Sequence, residues 1–342
     1  MDIPRLLELK LQSAILSKEA NAFWGPGDDW RPDDSGSSER FAALVAELDG
    51  RIVGMLGFHE RYDTGLGGLT FYVEDIYVES ARRRLGIGSS LLAELAVRAR
   101  EQNVLRIDLH VRENNSAARR LYRKLGFERL RGSIITVLGG TALMGRAATA
   151  KRVLHWGDDA SSSASMGSLG RAEPTAFQVR FATSKDVASL FQLKRQMAKS
   201  DGTARAMRAT ADDWLRDGSG PRPRFAALVA EEDAAIVAML TFSAHHYGAL
   251  PEPALCIQDL FVQPDHRRRG IASALLGELL VHARRHQVHH IELSIPKRNS
   301  VVRTMSRRLG FARVYHCATY LLAGPSLLQL AEGASDIAAL LT

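Results

Sequence analysis

The chain has 342 residues, of which 46% are hydrophobic, a formal net charge of +7, and two cysteines, Cys256 and Cys317. That length fits about two domains, and two cysteines exclude a disulfide framework and point to a reducing, cytoplasmic setting. Apolar runs such as Phe41–Ala46 are far too short to span a bilayer, so no membrane partner is expected, and Asp2, Arg5, Glu8 and Lys10 argue against a secretory signal.

In chain order, Leu6, Leu7, Leu11 and Ile15 predict a helix, and Gly25–Glu39 is polar enough to be a loop. Phe41–Glu47 and Ile52–His59 read as strands joined by the hairpin turn Asp49-Gly50. A turn over Tyr62–Gly68 leads to a strand over Leu69–Val78. Ser89–Arg100 is an amphipathic helix with Leu91, Leu92, Leu95, Ala96 and Ala99 on one face. A strand (Leu105–Val111), a helix (Ser116–Leu125) and a strand (Ile134–Leu138) follow. A Ser-, Gly- and Ala-rich stretch then marks an interdomain linker over 146–176. Past it come a strand, Phe177–Phe181, and a capping box, Thr183-x-x-Asp186, opening a helix to about Ala198. The chain closes with a strand over Cys317–Leu322 and a helix over Leu327–Leu341. These elements give two mixed α/β domains, 1–145 and 177–342, each a largely antiparallel sheet with flanking helices. The first shows no counterpart of the Phe177–Phe181 strand, so its sheet is one strand short or another segment supplies that strand.

The two domains are copies. Arg83-Arg84-Leu85-Gly86-Ile87-Gly88 answers Arg267-Arg268-Arg269-Gly270-Ile271-Ala272, 184 positions on, and this offset runs without a gap from Phe41/Phe225 to Phe127/Phe311. Roughly four positions in ten are identical over that span, and a repeat this long is a duplicated domain, not a solenoid unit of about 20–50 residues. In each copy the glycine loop joins a strand to a helix start, where free backbone N–H groups and the helix dipole favour a phosphate. The arginines cluster beside these loops. With no zinc-finger spacing and no aromatic RNA-binding strand, the positive charge points to a phosphate-rich small molecule and not to nucleic acid.

Arg-x-x-Gly-x-Gly alone is weak, but here the strand Val73-Glu74-Asp75-Ile76-Tyr77-Val78 precedes it. An amphipathic helix and Asn115-x-x-Ala118-x-x-x-Tyr122-x-x-x-Gly126-Phe127 follow it. The set resembles the GNAT superfamily of acetyl-CoA-dependent N-acetyltransferases, in tandem. Tyr72–Val78 with Arg120–Gly126 is similar to its diamine branch. The resemblance implies that the backbone of Arg83, Arg84, Leu85, Gly86, Ile87, Gly88 and Ser89 would cradle the pyrophosphate of acetyl-CoA. Ile76, Tyr77 and Val78 would pair with its pantetheine arm, and Asn115 would hydrogen-bond it. Glu74 would act as base through water, Tyr122 as acid at the sulfur, and Asp75 and His59 would meet the acceptor amine.

In the second copy the resemblance assigns the cofactor to Leu260, Phe261 and Val262, to Arg267, Arg268, Arg269, Gly270, Ile271, Ala272 and Ser273, and to Asn299. There Gln258 replaces Glu74 and Ser306 replaces Tyr122. A glutamine is no base and a serine is a far weaker acid than a phenol, so the second domain is expected to bind acetyl-CoA but to turn over poorly, with Asp259 the one remaining carboxylate. An alkyl amine with a pKa near ~10.4 is a free base in only about one molecule in ~2,500 at pH 7, so the reaction needs a proton acceptor. The expected function is acetyl transfer to a primary amine of a small cationic molecule by direct attack. Alternatives are a tandem enzyme acting on a thiol-precursor or phosphonate amine, and an acetyl-CoA sensor without turnover. His282, His286, His289 and His290 have partly i, i+4 spacing but no completing carboxylate or cysteine, so they are expected on the surface and no metal is expected. His245 and His246 are placed near the acceptor cleft. A duplicated pair also raises the expectation of an intramolecular pseudo-dimer.

Overall fold

Asp49 and Gly50 both take positive φ, 52° and 71°. They close the two-residue hairpin whose backbone twist matches its strands. The computed structural model describes residues 3–16, 42–131, 133–139, 143, 177–219, 223–246, 253–288, 290–314 and 317–334; the expected linker and the loop over 25–39 lie outside them. The first repeat runs α1 (Ile3–Leu16), β1 (Ala42–Leu48), β2 (Arg51–Asp63), β3 (Gly68–Val78), α2 (Ile87–Glu101), β4 (Arg106–Arg112), α3 (Ser116–Lys124), β5 (Glu128–Leu130), β6 (Ser133–Gly139). The second begins with β7 (Phe177–Phe181), α4 (Val187–Ser200) and α5 (Ala211–Ser219). It continues through β8 (Ala226–Glu232), β9 (Ala235–His246), β10 (Pro253–Val262), α6 (Ile271–Arg285), β11 (His290–Pro296) and α7 (Ser300–Arg308), ending with β12 (Ala312–Arg313), β13 (Cys317–Ala323) and α8 (Gly324–Glu332).

The two sheets do not coincide with the two repeats. The first has the order β1-β2-β3-β4-β13-β5 and the second β12-β6-β11-β10-β9-β8-β7. Each repeat gives its last long strand away. Antiparallel β13 lies on β4 with Cys317 opposite Arg112, and antiparallel β6 lies on β11 with Ser133 opposite Pro296. These registers are the same after the 184-residue shift, so the exchange has a pseudo-two-fold axis and the copies form an intramolecular pair. Among the described residues the first sheet ends at β1, with no counterpart of β7.

Burial follows the exchange. The first core is built on Leu56, Phe71, Leu92, Leu95 and Ile107, and it also takes Tyr320 and Leu322 from β13 and Leu327 and Leu330 from α8. Each of those four side chains stabilises by on the order of 2 kcal/mol. Together they rival the net stability of a whole domain, about 5–15 kcal/mol. The first repeat therefore has no closed core of its own.

Two helices differ from expectation. In α1 the buried residues are Leu6, Leu9 and Lys10, while Leu11 and Ile15, expected inside, are 41% and 59% exposed. The helix presses a narrow stripe against Met55 and Tyr77, and a lysine takes a core position because a carboxylate waits for it. The offset of 184 extends here too, pairing Leu6, Leu9, Lys10, Gln12 and Ala14 with Leu190, Leu193, Lys194, Gln196 and Ala198; α1 and α4 are thus the same element. The helix α5 was not foreseen. Its Trp214 is fully buried against Phe191 and Phe225.

Residues 1–145 and 177–342, produced as two chains in one cell, are expected to co-purify as one folded complex. The first fragment alone is expected to lack a cooperative thermal transition. Two fragments that each unfold cooperatively and do not associate would contradict the exchange.

Candidate active site

The site begins with a missing stretch of ladder. β3 pairs in parallel with β4 only over Thr70–Val73 and Arg106–Leu109. On its other side β3 carries a bulge: Gly57 faces Asp75, Phe58 faces Val73, and Glu74 is the extra residue. Past Glu74 the strands part, so Asp75–Val78 offers the edge facing β4 to an extended ligand, as an open sheet edge does. The second sheet repeats this. β10 pairs with β11 only over Ala254–Ile257, and Gln258 is the bulge residue.

Where β3 ends, residues 80–86 form an exposed loop. Arg84 and Gly86 take φ of 67° and 90°, and Arg268 and Gly270 take 64° and 84°. Gly86 and Gly270 are the caps of α2 and α6, in a left-handed conformation that a side chain strains. The first-turn N–H groups beyond them have no i−4 carbonyl. Gly88 is a different kind of glycine. A Cβ there would lie 3.5 Å from Leu121 and 4.0 Å from Ile76, which is ordinary contact, and the second copy has Ala272. Gly88 marks where β3, α2 and α3 converge. Arg83 Nε donates to Val78 O at 3.0 Å, and Arg267 Nε does the same to Val262 O at 3.0 Å. Part of each arginine therefore ties the loop to the strand. Asn115 and Asn299 cap α3 and α7, each accepting from the N–H three residues on at 3.1 Å. That engages the side-chain oxygen and leaves the amide donors for a ligand. In the second copy a cavity of about 450 Å³ lies beside this convergence, lined by Ser273, Ser300, Val301, Thr304, Met305 and Arg308.

The predicted base lies at the apex of the opening. The Glu74 carboxylate is 6% exposed and its Oε1 is 3.3 Å from His59 Nδ1. His59 is itself buried and not at an open mouth. Arg61 Nε donates to His59 Nε2 at 3.0 Å, so Nε2 is the acceptor and the neutral imidazole carries its proton on Nδ1, toward Glu74. Burial, helped by the Arg61 charge, pushes His59 well below the usual histidine range, which keeps it neutral. Tyr122 is buried beside Phe127 and Tyr320, with ring centroids at 5.7 and 5.8 Å. Burial pushes its phenol up, and no group among the described residues hydrogen-bonds its hydroxyl.

Asp75 does not stand free for an acceptor. Lys10 Nζ lies 2.9 Å from its Oδ2, as Lys194 Nζ lies 2.6 Å from Asp259 Oδ1. Each repeat thus keeps an aspartate answered by a lysine, buried at Lys10 and part-buried at Lys194, a pairing that sequence reasoning missed because the repeat was followed only from Phe41. In the second copy Gln258 Nε2 donates to Ser243 Oγ at 3.0 Å, the neutral counterpart of His59 and Glu74. Ser306 Oγ donates back to Arg303 O within its helix. The side chains of His245 and His246 lie outside the described residues. His282, expected on the surface, stacks near Phe181 and Phe242 at 5.2 and 5.5 Å.

The first copy fills the space beside the second bulge. The turn between β2 and β3 inserts Thr64 against the second bulge. Its N–H donates to Gln258 Oε1 at 2.9 Å, its hydroxyl donates to Asp259 Oδ2 at 2.8 Å, and its carbonyl accepts from Trp214 Nε1 at 2.9 Å. Lys194 Nζ donates to the same hydroxyl at 3.0 Å, and Gly65 O accepts from the N–H groups of Arg208 and Ala209 at 2.9 and 3.0 Å. A Cβ on Gly67 would come within 2.8 Å of Asp213 Oδ2 and 2.9 Å of Ala209 Cα, at φ +73°, so the turn requires glycine there. Asp259 ends up enclosed by Lys194, Thr64 and Thr241.

The Acetyltransferase (GNAT) family model matches residues 11–127 and 187–311. The N-alpha-acetyltransferase of Sulfurisphaera tokodaii is 36% identical over 99 residues, which are 26% of this chain and 58% of that protein; the chain spans little more than half of that relative's length. A solved tandem GNAT protein from the clavulanic acid biosynthesis pathway has a TM-score of 0.49 and 18% identity, over 94% of this chain and 95% of that one. A GCN5-related N-acetyltransferase from Sphaerobacter thermophilus has a TM-score of 0.49 and 18% identity, over 94% and 92%.

The inserted turn is anchored by Asp63, whose Oδ1 accepts from the N–H groups of Gly65 and Leu66 at 2.8 and 2.9 Å while Arg106 sits 2.8 Å from Oδ2. Burial raises the Asp63 pKa, but Arg106 and the Leu66 N–H outweigh it and hold the carboxyl below its usual range. A depressed folded pKa contributes stability above the unfolded value of ~4 and loses it as pH falls through the folded value. Asp63→Asn is therefore expected to lose about 2 kcal/mol at pH 7, with the gap to wild type closing as urea melts are taken to lower pH. A gap that is constant from pH 7 to pH 3 would mean that the charge plays no part.

Proposed function

Because the chain belongs to the acetyltransferase (GNAT) family, matched in both repeats, we propose that its first repeat moves an acetyl group from acetyl-CoA to a primary amine. The observation that carries this is Glu74: a buried carboxylate on a bulge, at the apex of parted strands, with a neutral histidine 3.3 Å away. Acetyl-CoA, when bound, supplies the thioester carbonyl that the amine attacks. The N–H groups of the loop and of the start of α2 would hold its pyrophosphate, and the free edge of Asp75–Val78 its extended arm. Glu74 takes the ammonium proton, directly or through a water, and so makes good the scarcity of free amine at neutral pH. The Tyr122 phenol, whose hydroxyl has no partner among the described residues, donates to the departing sulfur. We read the attack as direct and not through an acetyl-enzyme.

The acceptor is a small molecule with one reacting amine. The pairing of Asp75 with Lys10 leaves little net charge for a second ammonium, which speaks against the long polyamines of the diamine branch. The second repeat binds acetyl-CoA without transferring the acetyl group. It keeps the left-handed Gly270 and the cavity beside it, but its bulge residue is an amide, Asp259 is locked, and Thr64 occupies its acceptor side.

Glu74→Gln is expected to lower kcat by about 10²–10⁴-fold at pH 7. Part of the loss should return as pH approaches the amine's own pKa near ~10.4, since free amine needs no base. Steady-state kinetics across that range with a panel of primary amines is the measurement. A loss of equal size at every pH would give Glu74 a role other than proton transfer.

Gly86→Asp, which sets an anion and a side chain on the first loop, is expected to abolish turnover. Gly270→Asp should remove one of two acetyl-CoA sites seen by calorimetry and leave most turnover intact. The reverse pattern, in variants whose circular dichroism matches wild type, would place catalysis in the second repeat.

A further inference from the structure

A chain of polar contacts reaches Glu74 from the other repeat. Glu292, a buried residue of β11, lies with its Oε1 3.3 Å from Arg61 Nη1. Arg61 Nε donates to His59 Nε2 at 3.0 Å, and His59 Nδ1 stands 3.3 Å from Glu74 Oε1. The Arg61 guanidinium also lies over the Tyr72 ring, 3.7 Å from its centroid, and Tyr72 Oη is 2.8 Å from His110 Nδ1. Arg61 is thus boxed on three sides by a carboxylate, an imidazole and an aromatic face, the environment in which its planar fork loses most freedom.

The link runs one way. The repeat partner of Glu292 is Asp108, and Asp108 is paired within its own strand to Arg106, at 2.7 Å. The partners of His59 and Glu74 are Ser243 and Gln258, which bond each other without charge. Among the described residues, no carboxylate of the first copy is hydrogen-bonded to the Ser243–Gln258 pair.

We propose that Glu292 is a positioning residue for the first active site: it holds Arg61, Arg61 fixes the tautomer and ring plane of His59, and His59 aims the Glu74 carboxylate. This rests on the reading of Glu74 as base. The physical case is that a buried carboxylate needs a donor, and the donor decides how basic it stays. A cation in direct contact would hold Glu74 ionised and make it a poor proton acceptor. A neutral imidazole packed against it, with Nδ1 3.3 Å from Oε1, sets where it can sit and leaves its basicity. Arg61 has only donors to offer, so it forces His59 Nε2 to accept and turns the N–H toward Glu74. Glu292 balances the Arg61 charge, which would otherwise act on both His59 and Glu74. The groups facing this chain are Tyr72 on β3, His110 on β4, Cys256 on β10 and His290 on β11, which all feel the charges of Arg61 and Glu292, and Asp108 on β4, whose charge acts on Tyr72, His110 and Cys256.

The test uses the full-length protein with 15N-labelled histidine and the variants Glu292→Gln, Glu292→Asp, Arg61→Lys and Glu74→Gln. Wild-type His59, assigned by its absence in His59→Asn, should show the neutral Nδ1–H tautomer. Glu292→Gln and Arg61→Lys should both convert that signature to a mixture, and Glu292→Asp should restore it in part. In kinetics with acetyl-CoA, and benzylamine or alaninamide as the probe amine, Glu292→Gln should lower kcat by about tenfold with KM for acetyl-CoA unchanged. It should also move the acid limb of the kcat/KM profile to lower pH, because an unbalanced Arg61 favours the Glu74 carboxylate. Unchanged His59 nitrogen shifts in Glu292→Gln would overturn the inference, as would a fall in kcat with the pH profile unmoved, which marks a structural role. If Glu74→Gln inactivates the enzyme while Glu292→Gln leaves kcat and the profile intact, the inference falls and the base stands. If Glu74→Gln leaves kcat intact, or neither probe is acetylated, the reading of the base falls and takes the inference with it.

Discussion

The exchange of β6 and β13 is the constraint on which the rest of the molecule stands. β4 must part from β3 to make an opening, and a strand that has let go of one neighbour needs the other edge held firmly. That edge is held by a strand from the opposite repeat, over seven paired positions from Cys317 to Ala323. The same strand carries Tyr320 to within 5.8 Å of Tyr122, and α8 behind it seats Ser326 against Gly126 at the end of α3. The wall of one site is therefore written in the other copy of the sequence, and the two faces that meet around Arg61 and Glu292 are brought together by the same crossing.

Once joined this way, the copies are free to differ. Where the first has a histidine and a carboxylate in contact, the second has a hydroxyl and an amide at the same positions, hydrogen-bonded and no longer titratable. The backbone was kept and the protons were lost. The bulge, the left-handed glycine and the asparagine cap survive in both copies because they are conditions for the opening to form at all. The turn around Thr64 fits a cradle of Trp214, Lys194 and Gln258; the repeat partners of these three are Trp30, Lys10 and Glu74, so the residue type changes only at the bulge.

Much of this was legible in the sequence. The hairpin at Asp49-Gly50, the stripe of α2 and the capping box at Thr183 are local patterns, and local patterns set their own geometry. The glycine loop was legible because its spacing recurs. The exchange was not, since Cys317–Ala323 has the same alternation whichever sheet receives it. Lys10 lies ahead of Phe41, where the reading of the repeat begins, although the offset of 184 holds unchanged from Leu6 onward. The Thr64 turn lies in the stretch where the copies agree least, and lack of agreement looks like an unimportant loop until the partner surface is seen. Glu292 carried the same signal as Glu74, a carboxylate in an apolar strand, and only the fold shows that both belong to one site.

Covalent joining changes how the exchange responds to dilution. Two separate chains trading strands would come apart as their concentration fell, and each would expose the unsheltered side of its β4. Here the trade is made within one molecule, so the local concentration of each strand for its acceptor is set by the length of chain between the repeats and not by how much protein is present. A single copy made at a low level is as complete as one made in excess. The second repeat, whatever chemistry it has given up, is retained because it delivers the missing strand at fixed stoichiometry.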